Sequence, residues 1–266
     1  MKKGIRAHDV AEKGIDNIVK TCQENHIEYI QLVLEKSVEN FEFGKFTESY
    51  AKQIKEQLND INVAILGSYI NPSNPDKEEC QKELAKFKEK IKYASILKPI
   101  AVGTETGSYI EGMTDTEEAY LYLLKNLRGL VIEAERYGVD IAIEGVHCFV
   151  INTPQKMKRL IEDINSERFK VIFDPLNFLS IETLCEQDKI INDTFELLAD
   201  RICALHVKDV IVKNGKYRLV RPTEGVINYK LILNKLKEYK LDIPLICEEI
   251  SLSDAIIAFE NIKKSI

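Results

Sequence analysis

Residues 202–210 read ICALHVKDV: an apolar run that delivers a histidine, His206, with Lys208 and Asp209 close behind. A short apolar run without polar alternation is the pattern of a strand covered on both faces, as in a parallel sheet. Seven more such runs punctuate the chain: KGIRA near residue 5, YIQLVL near 32, INVAIL near 64, PIAVG near 101, VDIAIE near 142, KVIFD near 172 and IPLICE near 246. All are rich in Ile, Val and Leu and too short for helices. Between them lie amphipathic segments, clearest at 114–138, where Tyr120, Leu123, Leu124, Leu127, Val131 and Ala134 recur at three- and four-residue steps. Thr114 or Asp115 is its expected N-cap and Gly138 its left-handed C-cap. Similar helices are expected over roughly 10–25, 47–59, 76–96, 153–165, 188–200, 227–240 and 251–264. Eight consecutive βα units predict an α/β fold, a single-domain (β/α)8 TIM barrel over residues 1–266. A doubly wound sheet alternates in the same way, but no Gly-rich phosphate loop follows the first strand.

Composition narrows the function classes. At 266 residues and 45% hydrophobic content the chain can bury a large core. No apolar run approaches about 18 residues, and the opening MKKGIRAHDVAEKG soon turns polar, so a cytoplasmic location without membrane association is expected. Cys22, Cys80, Cys148, Cys185, Cys203 and Cys247 form no C-x-x-C pair, which argues against a thiolate zinc site or a disulfide framework; they read as reduced core or near-core residues. The net charge of −6 provides no general attraction to a phosphate backbone, and nucleic acid is not an expected partner.

A TIM barrel places its active site at the C-terminal ends of its strands, so a strand that ends in a polar residue aims it at the pocket. Four consecutive strands do this, ending in Glu144, Asp174, His206 and Glu248. Brought to one mouth, three carboxylates and an imidazole are an oxygen-rich set suited to one divalent metal ion, Mn²⁺ or Mg²⁺, with Co²⁺ or Zn²⁺ admitted by the histidine. Glu248 and Glu249 are adjacent, and strand alternation allows only one of them to face inward. Around this set, His8, Glu105, His147, Asn177 and Lys208 are candidate substrate contacts. Arg6 and His8 end the first strand as candidate substrate contacts, while neighbouring Asp9 suits a helix N-cap equally well. The segment VKNGKYRLVRPTEG reads as a basic loop from which Arg218 or Arg221 reaches a substrate phosphate, or as a merely solvated loop.

The segments GIRAHD, VAILGSYINPSNPD, VGTETGS, IAIEGVH, FDPLNFL, LHVKD and PLICEE resemble those of the xylose-isomerase-like sugar phosphate isomerase/epimerase superfamily. That superfamily includes ketose 3-epimerases, inosose dehydratases and the endonuclease IV type of DNA-repair enzyme. The resemblance assigns the family's metal-binding Glu, Asp, His and Glu to Glu144, Asp174, His206 and Glu248. Many members carry a His three residues after the metal-binding Asp, where this chain has Asn177.

The resemblance implies a metal-dependent enzyme that isomerises or epimerises a ketose, sugar phosphate or related polyol by proton transfer next to a carbonyl. Glu144 and Glu248 would be the catalytic pair, and the partner a small sugar or sugar phosphate. Association into a homo-oligomer is also suggested. An inosose-dehydratase-like lyase uses the same groups. An endonuclease-IV-like repair enzyme would need a histidine-rich zinc cluster, and the chain has only His8, His26, His147 and His206. A sugar-binding barrel without catalysis is the remaining class.

Overall fold

In the computed structural model, which describes residues 1–264, eight parallel strands close into a barrel with helices between them. The elements run β1 (Lys2–Arg6), α1 (Ala7–Val10), α2 (Ile15–Glu24), β2 (Tyr29–Leu32), α3 (Leu34–Ser37), α4 (Glu48–Leu58), β3 (Asn62–Gly67), α5 (Lys77–Leu97), β4 (Ala101–Glu105), α6 (Glu117–Tyr137) and β5 (Ile141–Glu144). They continue with α7 (Pro154–Ile164), β6 (Phe169–Phe173), α8 (Gln187–Leu198), β7 (Ile202–Val207), β8 (Asp209–Lys213), β9 (Lys216–Val220), α9 (Tyr229–Glu238), β10 (Pro244–Cys247) and α10 (Leu252–Lys264). The ring order is β1-β2-β3-β4-β5-β6-β7-β10, closed by parallel pairing of β1 with β10. This is a single-domain (β/α)8 barrel, with all eight expected strands in place. Among the described residues no helix is long and apolar enough to cross a membrane.

Two apolar assemblies hold it together. The larger lies between the strands and the helix ring. The smaller groups Ala64, Ile65, Ala101, Ala142, Ile172, Cys203, Ala204 and Ile246 and fills the barrel axis, where small residues opposite branched ones let the layers interdigitate. Gly103 belongs to the same layer: a Cβ on it would lie 2.5 Å from Ile65 Cγ2 and 2.9 Å from Ile172 Cδ1.

Because strand side chains alternate with period two, this apolar layer decides what stands above it. Two residues beyond Gly103, Ala142, Ile172, Ala204 and Ile246 come Glu105, Glu144, Asp174, His206 and Glu248; two beyond Gly4 and Tyr29 come Arg6 and Gln31. The top layer is thus polar around most of the ring. The barrel's two register shifts fall between Ile30 and Gln31, where β2 meets β3, and between Val171 and Ile172, where β6 meets β7. Such irregularities re-aim side chains near functional sites.

Several local expectations need correction. The long helix α6 is capped by Thr116, whose side chain accepts from the Ala119 N–H. Thr114 instead donates to the Ile110 carbonyl, and Asp115 pairs with Lys156. Gly138 does provide the left-handed C-cap. The basic segment after His206 is a β-hairpin, β8–β9, turned by Asn214 and Gly215 with φ of 53° and 68°, the left-handed pair that a tight hairpin turn requires. Asp9 lies inside α1 and caps nothing there: it accepts from Arg6 Nε at 2.7 Å and from the Glu249 N–H at 2.7 Å. Cys22, Cys80, Cys203 and Cys247 are buried as expected, but Cys148 and Cys185 are exposed; all six are unpaired.

Filling the tight space above Gly103 tests the account of the barrel axis. Gly103→Ala should destabilise the fold by about 1–3 kcal/mol through overpacking against Ile65 and Ile172, read as a lower urea midpoint with an unchanged m-value. An unchanged midpoint would show that the axis has slack the contacts do not reveal.

Candidate metal and substrate site

Glu144, Asp174, His206 and Glu248 are brought to one mouth, and each is at least 97% buried. His206 is the hub. Its Nδ1 lies 3.2 Å from Glu144 Oε1, 3.6 Å from Glu248 Oε2 and 4.0 Å from Asp174 Oδ2. Its Nε2 is 2.6 Å from Gln31 Oε1, and the Gln31 amide donates to the Tyr69 hydroxyl at 2.5 Å. A glutamine oxygen can only accept, so Nε2 carries the hydrogen and Nδ1 is the atom turned toward the carboxylates. Burial alone would lower the His206 pKa, but the charges of Glu248 and Glu144 override it and raise it to about 9.

The carboxylates are braced unequally. Asp174 Oδ1 accepts the N–H groups of Leu176 and Asn177 at 2.9 and 3.1 Å. Its Oδ2 is buried without a hydrogen-bond donor in line, with Lys208 Nζ 3.0 Å away. Burial pushes the Asp174 pKa up to about 6, although Lys208 opposes it. Glu144 Oε1 accepts from the Asn177 side-chain amide at 2.6 Å. Glu248 is pinned by Lys208 at 2.9 Å and Arg6 at 3.1 Å. Burial would raise its pKa, but His206, Lys208 and Arg6 outweigh it and hold the group near 2.

The donor set fits a divalent ion. One ligand atom each from Glu144, Asp174 and His206 lie within 4.8 Å of one another. Two ligands bound at about 2.0–2.3 Å to one ion can be little more than 4 Å apart, so small side-chain adjustments suffice. Asp174 Oδ2, buried and ion-paired with Lys208 but without a hydrogen bond, is the kind of incompletely satisfied acceptor that an ion would engage. Glu248, with both oxygens on cations, stands outside this closest group.

Above these residues opens a cleft of about 370 Å³. Its charged lining is Arg6, Lys36, Glu105, Glu144, Lys208, Glu248 and Glu249, with Tyr69, Val146 and Phe149 supplying apolar surface. Glu105 stands beside Glu144 in the β4–β5 register, and burial, reinforced by the Glu144 charge, raises its pKa to about 7. Glu249 does not point away from the mouth as simple alternation suggests. It lies past the end of β10 with φ of 58° and sits on the rim, 3.7 Å from Lys208 Nζ.

Of the other candidates, Asn177 and Lys208 are engaged with the carboxylates. His8 is not among the cleft-lining residues; its Nε2 is 3.8 Å from Asp9, and its Nδ1 is buried without a hydrogen-bond partner. His147 lies on the Asn177 carbonyl, with its backbone N–H at 2.6 Å, and lines a separate hollow beside α7 and α8. Arg218 is exposed on β9, and Arg221 is tied to Asp254 and Glu224. Asp209 gathers the N–H groups of Val210, Thr223, Gly225 and Ile227, which fastens the chain between the hairpin and α9.

Gln31, Lys36 and Tyr69 were not singled out from the sequence. Gln31 carried a readable signal, being the one polar residue inside YIQLVL and in phase with the other inward positions. Lys36 and Tyr69 follow their strands on connections and carried none.

A closed parallel barrel with buried carboxylates and a histidine at the C-terminal mouth presents the donor set of a divalent-metal site on a (β/α)8 scaffold. The xylose isomerase-like TIM barrel family model matches residues 13–264, and the chain belongs to that family. None of the curated proteins compared with it is significantly similar in sequence. Among solved structures, a D-tagatose 3-epimerase-like protein superposes with a TM-score of 0.81 at 18% identity, covering 100% of this chain and 97% of that one. The IOLI protein, solved with a zinc atom, gives 0.75 at 18% identity, covering 99% and 96%. D-Psicose 3-epimerase with D-tagatose from Clostridium cellulolyticum H10 gives 0.75 at 14% identity, covering 100% and 99%. At these identities the likeness is one of fold.

Gln31→Leu should weaken affinity for Mn²⁺ or Zn²⁺ by about 10- to 100-fold, because the residue that orients the ligating imidazole is lost while every candidate ligand remains. Metal titration followed calorimetrically would measure this, and an affinity within twofold of wild type would dismiss the orienting role.

Proposed function

We propose that the protein is a metal-dependent epimerase or isomerase acting on a ketose or ketose derivative by proton transfer at the carbon next to the carbonyl. The observation that carries this reading is the convergence of two buried carboxylates, Glu144 and Glu248, on His206 Nδ1, at 3.2 and 3.6 Å, where both also line a small cleft. Glu144, Asp174 and His206 would hold the ion, with Glu248 as a fourth ligand on modest movement of Lys208 and Arg6. When bound, a divalent ion supplies positive charge to polarise a carbonyl oxygen and an adjacent hydroxyl.

The protein's own groups divide the remaining work. Glu248, held ionised by Lys208 and Arg6, is ready to take a proton from the substrate carbon. Glu144, steered by the Asn177 amide, is the second carboxylate of the pair and would handle the proton on the other face of the substrate. Tyr69, Val146 and Phe149 reduce the water around the reacting carbon. The similar structures include 3-epimerases and a 3-keto-D-glucoside 4-epimerase, which supports this chemistry.

Dehydration is a second reading, favoured by Glu105. With its pKa raised to about 7 it is partly protonated at neutral pH and suited to protonating a departing hydroxyl. One of the similar structures is described as a probable dehydratase.

A panel of ketoses, ketose phosphates and inososes, incubated with Mn²⁺-loaded protein in deuterated water, tests both readings. Epimerase chemistry requires deuterium at the carbon next to the carbonyl, whereas turnover without deuterium uptake would exclude proton transfer. Glu144→Gln and Glu248→Gln should each lower kcat by about 10²–10⁴-fold while keeping an oxygen donor, and each should retain exchange on only one face. Glu249→Gln should change kcat less than about threefold, in line with a weak rim ion pair; a loss as large as that of Glu248→Gln would reverse the assignment of the two acids.

A further inference from the structure

Arg6 and Lys208, two of the cations lining the cleft, are already neutralised. Arg6 binds Asp9 and Glu248; Lys208 binds Asp174 and Glu248. Lys36 differs, because its ammonium takes part in no ion pair or side-chain hydrogen bond among the described residues, although it lines the same cleft. Its charge is felt at His8, where burial, Arg6 and Lys36 together lower the imidazole pKa against the opposing pull of Asp9. Lys36 and Arg6, the last residue of β1, line the same cleft.

The backbone beneath it is firmly held. Leu34 and Ser37, the first and last residues of α3, are buried, and the Ser37 carbonyl accepts the Gly14 N–H at 2.8 Å. On the outer side Glu35 binds Lys90 Nζ at 2.6 Å. Lys90 is itself fully buried on α5, with its ammonium 4.7 Å from the Phe41 ring centre and 5.6 Å from that of Phe46. Burying an ammonium is costly unless a carboxylate and aromatic faces receive it. Here that arrangement fixes the one-turn helix that presents Lys36 to the cleft. The result is a free positive charge on a flexible stem, mounted on a rigid base and facing a pocket whose other positive charges are taken.

We infer that Lys36 binds an anionic group of the substrate, a phosphate or a carboxylate, so that the cleft takes a charged sugar derivative in preference to a neutral ketose. This rests on the ketose reading above and adds the class of substrate. Lysine suits the role because it acts as a mobile point charge on oxyanions. Arg218 and Arg221, the cations that sequence analysis put forward for a phosphate, are respectively exposed on the hairpin and occupied by acidic partners.

Calorimetric titration of the full-length, Mn²⁺-loaded protein with D-fructose, D-fructose 6-phosphate and D-fructuronate separates the outcomes. The wild type should bind at least one of the two anions about tenfold or more tighter than D-fructose, and which anion wins distinguishes phosphate from carboxylate. Lys36→Ala should abolish that preference and leave the Kd for D-fructose within about twofold, whereas Lys36→Arg should preserve it. D-Fructose binding as tightly as both anions, or Lys36→Ala weakening all three alike, would overturn the inference and leave the ketose reading standing. Failure of all three to bind would instead overturn the ketose reading, and this inference with it.

Discussion

Closing eight parallel strands into a ring forces their C-terminal ends together, and here those ends carry ionisable groups that are taken out of water. Three carboxylates, an imidazole and an ammonium share the mouth, all of them buried. Such groups persist only if they compensate one another, since an unpaired buried charge costs several kcal/mol. Compensation explains the contrasting titration within the cluster. Glu248, touched by two cations, is held near 2, while Asp174, whose burial is less fully answered, is pushed to about 6. The same mutual neutralisation leaves one lining cation, Lys36, over for a ligand.

The surrounding structure is arranged to keep that cluster in place. Gln31 fixes which nitrogen of His206 faces the carboxylates, and the barrel's two register shifts lie on or beside the strands that bring these residues together. Outside the mouth, two buried charges act as fasteners. Asp209 collects the N–H of its neighbour Val210 and three more, from Thr223, Gly225 and Ile227, in the chain that follows the hairpin, and a Cβ at Gly225 would fall 2.2 Å from its Oδ1, so the loop closes tightly on the carboxylate. Lys90, on the other side of the barrel, ties α5 to α3. In both cases satisfied buried polarity gives a connecting segment a defined position that apolar contacts alone would leave loose.

Membership of the xylose isomerase-like family and likeness to epimerases and a probable dehydratase are compatible with one physical site because these reactions share their first demand. Each needs charge placed at a carbonyl and its neighbouring hydroxyl, and a base beside the adjacent carbon. What separates them is a second group, able either to return a proton to carbon or to give one to a leaving oxygen. Glu144 and Glu105, side by side in register, are this protein's two candidates for that second group. On the proposed reading, the branch between epimerisation and elimination would lie between two adjacent strands of one barrel.

Much of this was determined by the sequence itself. Short apolar runs in regular alternation with amphipathic helices specify a parallel α/β fold, because only strands covered on both faces read that way; eight such units without a Gly-rich phosphate loop after the first strand point to a barrel, and the polar residue that ends each of four runs marks the mouth. The period-two pleat then carries Glu144, Asp174, His206 and Glu248 to the same layer, so their convergence was legible once the barrel was recognised. Gln31 obeyed the same rule, but a neutral residue in an apolar strand has no chemical signature until its partner is known. Other features depend on tertiary contacts between segments far apart in the chain. Asn177 gains its role from the oxygen of Glu144, Asp9 from Arg6 and Glu249, and Lys36 from the buried Lys90 that steadies its helix. Glu249 escaped the alternation rule because β10 ends before it and a positive φ redirects the chain. Local pattern specifies which face a residue occupies, but only the closed fold decides which of the cleft's cations find partners and which is left without one.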